Sequence, residues 1–287
     1  MTGAGRRWLT RLGSVGPTFV VLLCAFFFIA PLLSMARFAL QTVPVVKLGW
    51  STLFDKWSLA PLVQAFDEPQ FRSSLWLSVR LGLGTVLLTL ALLVPTAVWV
   101  NLRLPRLRPV IEFITVMPYV IPAIALVAGI KVVQPHARWF LDSKMSLIPF
   151  YVVLALPFTY RSIDAGLRAI DLRTLVDASR SLGAGWGTTL FRVLLPNLRT
   201  AIISASFLIF AIVLGEFTMA NVLVRMTLPV FMLQYQGSKA QAGTGLALMA
   251  MFATIVLFVV VSRVTRPRSE RRSATSLSTA AATGDDE

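Results

Sequence analysis

Charge, cysteine and histidine are all scarce in this chain. Asp, Glu, Lys and Arg make up 14% of its 287 residues, where a soluble domain carries about a quarter. That shortage, with 56% hydrophobic residues and a mean hydropathy of +0.75, argues against a soluble enzyme or binding module and for an integral membrane protein. The single cysteine, Cys24, excludes an internal disulfide and a zinc ribbon. It lies in an apolar run and reads as a small packing residue. The single histidine, His136, excludes a multi-histidine centre, and no metal site is expected. No G-x-x-x-x-G-K-[ST] occurs, so the chain has no P-loop to cradle nucleotide phosphates.

What is present is apolar sequence in long runs. A span needs roughly 20 mostly apolar residues, and six stretches qualify: about Val15–Leu40, Ser74–Val100, Pro109–Val133, Ser146–Tyr160, Ala201–Val224 and Gly243–Ser262. The fourth is the weakest, being short and holding Pro149 and Pro157. The first follows Arg6, Arg7 and Arg11, as a secretory signal would, but is too long for a signal core and reads as an uncleaved helix. The expectation is an all-α polytopic membrane protein with six transmembrane helices over residues 15–263. Residues 1–14 form a cytoplasmic N-terminus, and 264–287 a disordered cytoplasmic tail rich in Ser, Thr, Ala and Arg.

The cations set the orientation. With both termini inside, 17 of the 27 Lys and Arg fall in inside segments and 8 outside, as the positive-inside rule requires. The same bias explains the net charge of +14 without nucleic acid as a partner. Gln41–Arg72 is a long outside connection, with Trp50 and Trp57 expected at the interface or over helix ends.

One inside segment breaks the pattern of short loops. Between Arg161 and Pro196 the chain is too polar to span and too regular to be disordered. Leu172, Leu175, Val176, Ser179 and Leu182 recur at helical spacing, with Arg173, Asp177 and Arg180 on the other face. Asp171 fits an N-cap, and Gly183 a C-terminal residue of positive φ. Asp177 is spaced to pair with Arg173 or Arg180. A second amphipathic stretch, Thr188–Leu195, stops at Pro196. Such a helix–glycine–helix element suits docking into a groove on a soluble partner. It equally suits lying on the bilayer, with its arginines on anionic lipid.

These residues carry a resemblance. Asp177-Ala178-Ser179, three residues, Gly183, nine residues, then Val193-x-Leu195-Pro196 resembles the EAA motif of binding-protein-dependent ABC transporter permeases: Glu-Ala-Ala, three residues, Gly, nine residues, Ile-x-Leu-Pro. The spacing matches throughout; Asp replaces Glu, Ser the second Ala, and Val the Ile. Met117-Pro118-Tyr119-Val120-Ile121-Pro122, Pro157-Phe158 and Gly215-Glu216-Phe217 are similar to the polyamine and ferric-iron branch. The resemblance implies two ATP-binding subunits, a second permease subunit (identical or homologous) and an extracytoplasmic solute-binding protein around this chain in the cytoplasmic membrane. It implies that residues 164–198 form the ATPase-coupling segment, with Asp177, Ala178, Ser179, Leu182, Gly183, Ala184, Val193, Leu195 and Pro196 in it. It implies no cofactor in the chain itself, ATP-Mg residing in the partner. Polyamine leads as solute, ahead of ferric iron, phosphonate and sugar.

Ionisable residues inside spans need reasons, since each costs roughly 2.5–3.5 kcal/mol at the bilayer centre. Glu112 lies near the inside end of its span and reads as solvated at the interface. Arg80 lies near an outside end. Glu216 is the deepest, and either faces a water-filled route, favouring a cationic solute, or pairs with Arg80. Pro118 and Pro122, with Gly129, interrupt the third span, and Pro95 the second; freed carbonyls there face protein or water. Tyr119 lies between those two prolines, which completes the candidate pathway. An ion-coupled secondary transporter lacks the repeat-related spans and midplane ionisable groups it needs here. A membrane protease lacks paired intramembrane aspartates, and all five lysines are expected on the outside.

Overall fold

A computed structural model describes residues 4–41, 57–133 and 135–265. The chain divides into two compact units, residues 1–71 with 232–251, and residues 72–231 with 252–287. Fourteen α-helices are described. They are α1 (Ala4–Leu40), α2 (Ala60–Asp67), α3 (Pro69–Arg103), α4 (Arg108–Val120), α5 (Ala123–Val133), α6 (Arg138–Leu141) and α7 (Leu147–Arg168), then α8 (Leu172–Ser181), α9 (Trp186–Thr188), α10 (Leu195–Asn197), α11 (Arg199–Gly215), α12 (Thr218–Val222), α13 (Leu228–Ser238) and α14 (Ala240–Thr265). A π-helix, Thr189–Leu194, joins α9 to α10. No strand occurs among the described residues beyond an isolated Gln41–Trp57 bridge. Trp50 and the tail from residue 266 lie outside the described residues.

Four helices are long and apolar enough to cross a membrane: Pro17–Leu40, Pro69–Arg103, Lys144–Arg168 and Ala240–Arg263. Two bent pairs raise the number to six if each is one span. The sequence expected six runs with the third interrupted near Pro118 and Pro122, and the structure breaks that run and also the fifth. The third breaks after Val120, where Ile121 is extended and Pro122 lacks an N–H, and its halves differ in direction by 84°. The fifth stops at Gly215 rather than running to Val224, and resumes as the short α12.

Other differences run towards more helix. Pro95 leaves α3 continuous, and Gly129 leaves α5 continuous. A proline forfeits one backbone bond and its ring crowds the turn before it, which a long apolar helix in a span tolerates. The fourth run, weakest in the sequence, is an uninterrupted 22-residue helix reaching Arg168. Its polar last turns remain helical because Ile163 and Leu167 are buried, and so is Asp164.

In the first unit, Leu62 of α2 and Ala39 of α1 pack where Gly245 of α14 leaves room for them. Lys239 pairs with Glu68 at 3.1 Å.

The second unit has two buried apolar clusters. One joins Leu77 and Leu81 of α3 to Tyr151 and Ala155 of α7 and Ile209 and Val213 of α11. The other joins Leu93, Val94, Ala97 and Val98 of α3 to Tyr160, Ile163 and Leu167 of α7, and then to Leu172, Val176, Leu194 and Leu198. Those last four belong to the segment between α7 and α11, so that segment is rooted in the helical core. Two glycines allow close helix approach here: a Cβ on Gly82 would meet Phe210 at 2.6 Å, and one on Gly166 would strike Ala201.

Candidate functional site

The segment from Asp171 to Pro196 folds as two arms about a glycine turn. Asp171 caps α8, its carboxylate accepting from the Thr174 backbone N–H at 3.3 Å and the Thr174 hydroxyl at 2.7 Å. Those two donors hold the Asp171 carboxyl below the usual carboxylate range. At the other end Gly183 has φ +81°. Its N–H donates to the Arg180 carbonyl at 2.9 Å, and that of Ala184 to the Ser179 carbonyl at 3.1 Å. These are the two bonds of a Schellman ending.

The second arm runs Trp186–Asn197 and meets α11 at an angle of 78°. Within it the Leu195 N–H donates five residues back, to Leu190. Pro196 supplies no N–H, and the sharp change of direction comes two residues later, at Leu198. Val193, Leu195 and Pro196 thus lie in the arm, while Asp177, Ala178, Ser179, Leu182 and Ala184 lie on α8 or its turn.

Two details of this element differ from the sequence reading. Leu182 does not join the buried face of Leu172, Val176 and Ser179; it caps the helix and is 88% exposed. Asp177 pairs with neither Arg173 nor Arg180 among the described ion pairs. An exposed helical pair gains only about 0.2–0.5 kcal/mol, and Arg180 instead covers the Trp186 ring at 5.3 Å.

Glu216 marks the break after α11. Its carboxylate accepts from the Met219 N–H at 2.8 Å, the Ala220 N–H at 3.3 Å and the Tyr151 hydroxyl at 3.0 Å. It caps α12 and ties it to α7. The alternative pairing with Arg80 does not form; Arg80 lies over Trp76 at 4.8 Å. Glu216→Ala is expected to cost about 0.5–2 kcal/mol, as loss of a helix cap does, whereas Tyr151→Phe leaves both backbone bonds. Thermal unfolding of the two purified variants checks this: Glu216→Ala should melt lower.

The remaining pathway candidates are not gathered at Glu216. Tyr119 packs edge-on to Phe158 at 5.4 Å, on α7 beyond Tyr151. Pro118 lies in the last turn of α4, and Pro122 caps the start of α5 through its carbonyl. A cavity of about 390 Å³ beside α5 is lined by Leu126, Ile130, Phe140 and Phe150 among others, and offers an ion no ligand. No group of three or more His, Cys, Asp and Glu able to hold a metal occurs among the described residues.

The sequence reading missed a charged centre at Asp164. Its carboxylate accepts from Arg108 at 2.6 and 2.7 Å, Arg168 at 2.9 Å and Asn101 at 3.1 Å. The i, i+4 spacing of Asp164 and Arg168 was the available signal; Asn101 and Arg108 arrive only through folding. Glu112, read as solvated, pairs with Arg161 at 3.1 Å.

Residues 88–268, more than half of the chain, match the family described as binding-protein-dependent transport system inner membrane component. The spermidine/putrescine transport system permease protein PotB of Haemophilus influenzae is 25% identical over 172 residues, 54% of this chain and 60% of that protein. The molybdenum transport system permease protein ModB of Mycobacterium tuberculosis is 34% identical over 160 residues, 52% and 60% of the two chains. The sulfate transport system permease protein CysW of Synechocystis is 26% identical over 220 residues, 70% and 79%. The chain therefore spans 60% of the length of PotB and ModB. A solved chain from a bacterial ABC transporter involved in the import of the acidic polysaccharide alginate superposes with a TM-score of 0.69 over 92% of this chain and 98% of its own. At 16% identity that likeness speaks for the fold alone. By the extent of the family match, the chain belongs to the binding-protein-dependent inner-membrane components, the permeases of ABC importers.

Proposed function

We propose that this chain is the translocating subunit of an ABC importer. It works with two ATP-binding subunits, a second permease subunit and an extracytoplasmic solute-binding protein. The observation that carries the reading is the two-armed element. Its inner side is rooted among α3, α7 and α11, and it leaves exposed Leu182, at the turn, at 88% and Phe191, on the second arm, at 68%. An apolar ridge on a fixed turn is what a groove on a soluble ATPase accepts. The inside excess of arginine supports a cytoplasmic tip, with both chain termini on the same side.

ATP-Mg bound by the partner subunits draws them together. The tip follows, and Leu172, Val176 and Leu194 pass the displacement to the spans as a rigid-body shift. With no P-loop in its sequence, the chain leaves ATP hydrolysis to its partners.

Polyamine leads by the resemblance, and a Glu216 carboxylate facing the route would add a preference for a cation. With that carboxylate occupied by α12 and Tyr151, the charge argument for a cation loses its footing. A small oxyanion is the second reading, favoured by the 34% identity to a molybdenum permease. Both are tested together by reconstituting the purified complex in vesicles and following ATP-driven uptake of labelled spermidine, molybdate and sulfate. Import that requires ATP and the binding protein is the expected result. Import by this chain alone would end the reading.

A further inference from the structure

The two arms of the coupling element are separated by Gly183-Ala184-Gly185-Trp186-Gly187, three glycines in five residues. A Cβ on Gly183, Gly185 or Gly187 would meet nothing within 4 Å. Glycine-rich backbone in open space has the widest choice of conformations, so the angle between the arms depends on the contacts that cross the turn. Without them a push delivered at the tip would be lost in bending.

Leu172 and Val176 pack with Leu194 across the hinge, and one buried hydrogen bond joins them in crossing it. The Ser179 hydroxyl on α8 and the Thr189 hydroxyl on the second arm are 2.9 Å apart. Both residues are buried, Ser179 at 8% exposure and Thr189 at 0%. Ser179 is held twice, since its carbonyl also takes the Ala184 N–H that closes the turn. Thr189 opens the π-helix, the stretch that leads to Leu194 and the core. Out in solvent, Arg180 and Trp186 make a parallel contact across the same turn. The buried bond is the stronger constraint, because water cannot replace it.

We propose that Ser179 and Thr189 form a clasp that makes the two arms one lever, so that motion at the tip reaches the spans undiminished. They are positioning residues: neither touches ATP or solute. The proposal rests on the importer reading above. It assigns a task to the hydroxyl this chain carries where the EAA pattern has its second alanine.

The test measures solute imported per ATP hydrolysed by the reconstituted transporter. Ser179→Ala and Thr189→Val each leave one buried hydroxyl without a partner, and each should lower the ratio by roughly threefold to tenfold. Thr189→Ser keeps the hydroxyl and should recover most of what Thr189→Val loses. A pair of cysteines, Ser179→Cys with Thr189→Cys in a Cys24→Ser background, reads the geometry directly. Reduced, the pair should couple poorly; oxidised by copper phenanthroline to a disulfide, it should regain the ratio, and dithiothreitol should reverse the gain. Oxidation that arrests uptake would show that the arms must part, and overturns the clasp. So would a cysteine pair that never cross-links, or a ratio indifferent to all the substitutions. Absence of ATP-driven uptake in the unaltered complex would instead refute the importer reading, so the two failures are told apart.

Discussion

Substituting Gly183 with valine should nearly abolish ATP-driven uptake while leaving the spans as stable as before. The residue holds φ +81°, a conformation that costs an L-amino acid roughly 1–2 kcal/mol through its Cβ and more for a β-branched side chain. No neighbouring atom lies within 4 Å of where that Cβ would be, so the penalty is purely one of backbone. It falls on the turn alone, which closes through the Gly183 and Ala184 N–H groups. A loss of one or two kcal/mol shifts the population of the correct turn by about 5–30-fold. Transport should therefore decline in the order Gly, Asn, Ala, Val, asparagine being the side chain best suited to left-handed backbone.

Val224 shows what tolerating such strain takes. It too ends a helix at positive φ, 55°, with the Arg225 N–H donating to Ala220. There the Arg225 guanidinium donates to the Leu141 carbonyl and anchors the turn. Ala184, which follows Gly183, has no side-chain donor to do the same. Uptake that is flat across the four residues, at equal expression, would mean that the turn takes no part in coupling.

Sequence reading worked where one chain segment contains its own cause. The Asp171 cap, the Schellman ending at Gly183 and the buried stripe of Leu172 and Val176 follow from spacing along a single helix. It failed over where a helix ends or runs on. Pro122 with Ile121 ends a helix as expected, while Pro95, expected to interrupt an equally apolar run, does not, and hydropathy treats the two alike. Glu216 looked like a charge in search of a cation; its partners are backbone N–H groups exposed by the very break it sits in. Leu182 has the right register for the core, but the helix ends there and the side chain is left outward. In each case the missing information was where a helix stops, and hydrophobic periodicity does not contain it.

Asp164→Asn is expected to be the most destabilising single change in the chain. The carboxylate is nine-tenths buried and takes donors from Asn101 at the end of α3, Arg108 at the start of α4, and Arg168 on its own helix. Removing one partner of a buried pair costs about 3–5 kcal/mol, because the other charge stays behind without compensation. Here that charge is Arg108, whose side chain is 24% exposed. Arg168, at 60% exposed, is largely hydrated already, so its pairing adds only about 0–1 kcal/mol. Arg108→Gln should therefore lower the melting temperature far more than Arg168→Gln, and a double-mutant cycle should place most of the coupling energy between Asp164 and Arg108. Equal effects from the two arginines would contradict this. The position gives the result its weight: Asp164 lies on α7, eight residues before α8 begins at Leu172. The centre ties the end of α3 and the start of α4 to α7. Neutralising both Asp164 and Arg108 with leucine should restore stability, as apolar replacement of buried pairs does. If uptake stays low in that stable double variant, the ion pair transmits movement as well as holding the helices together.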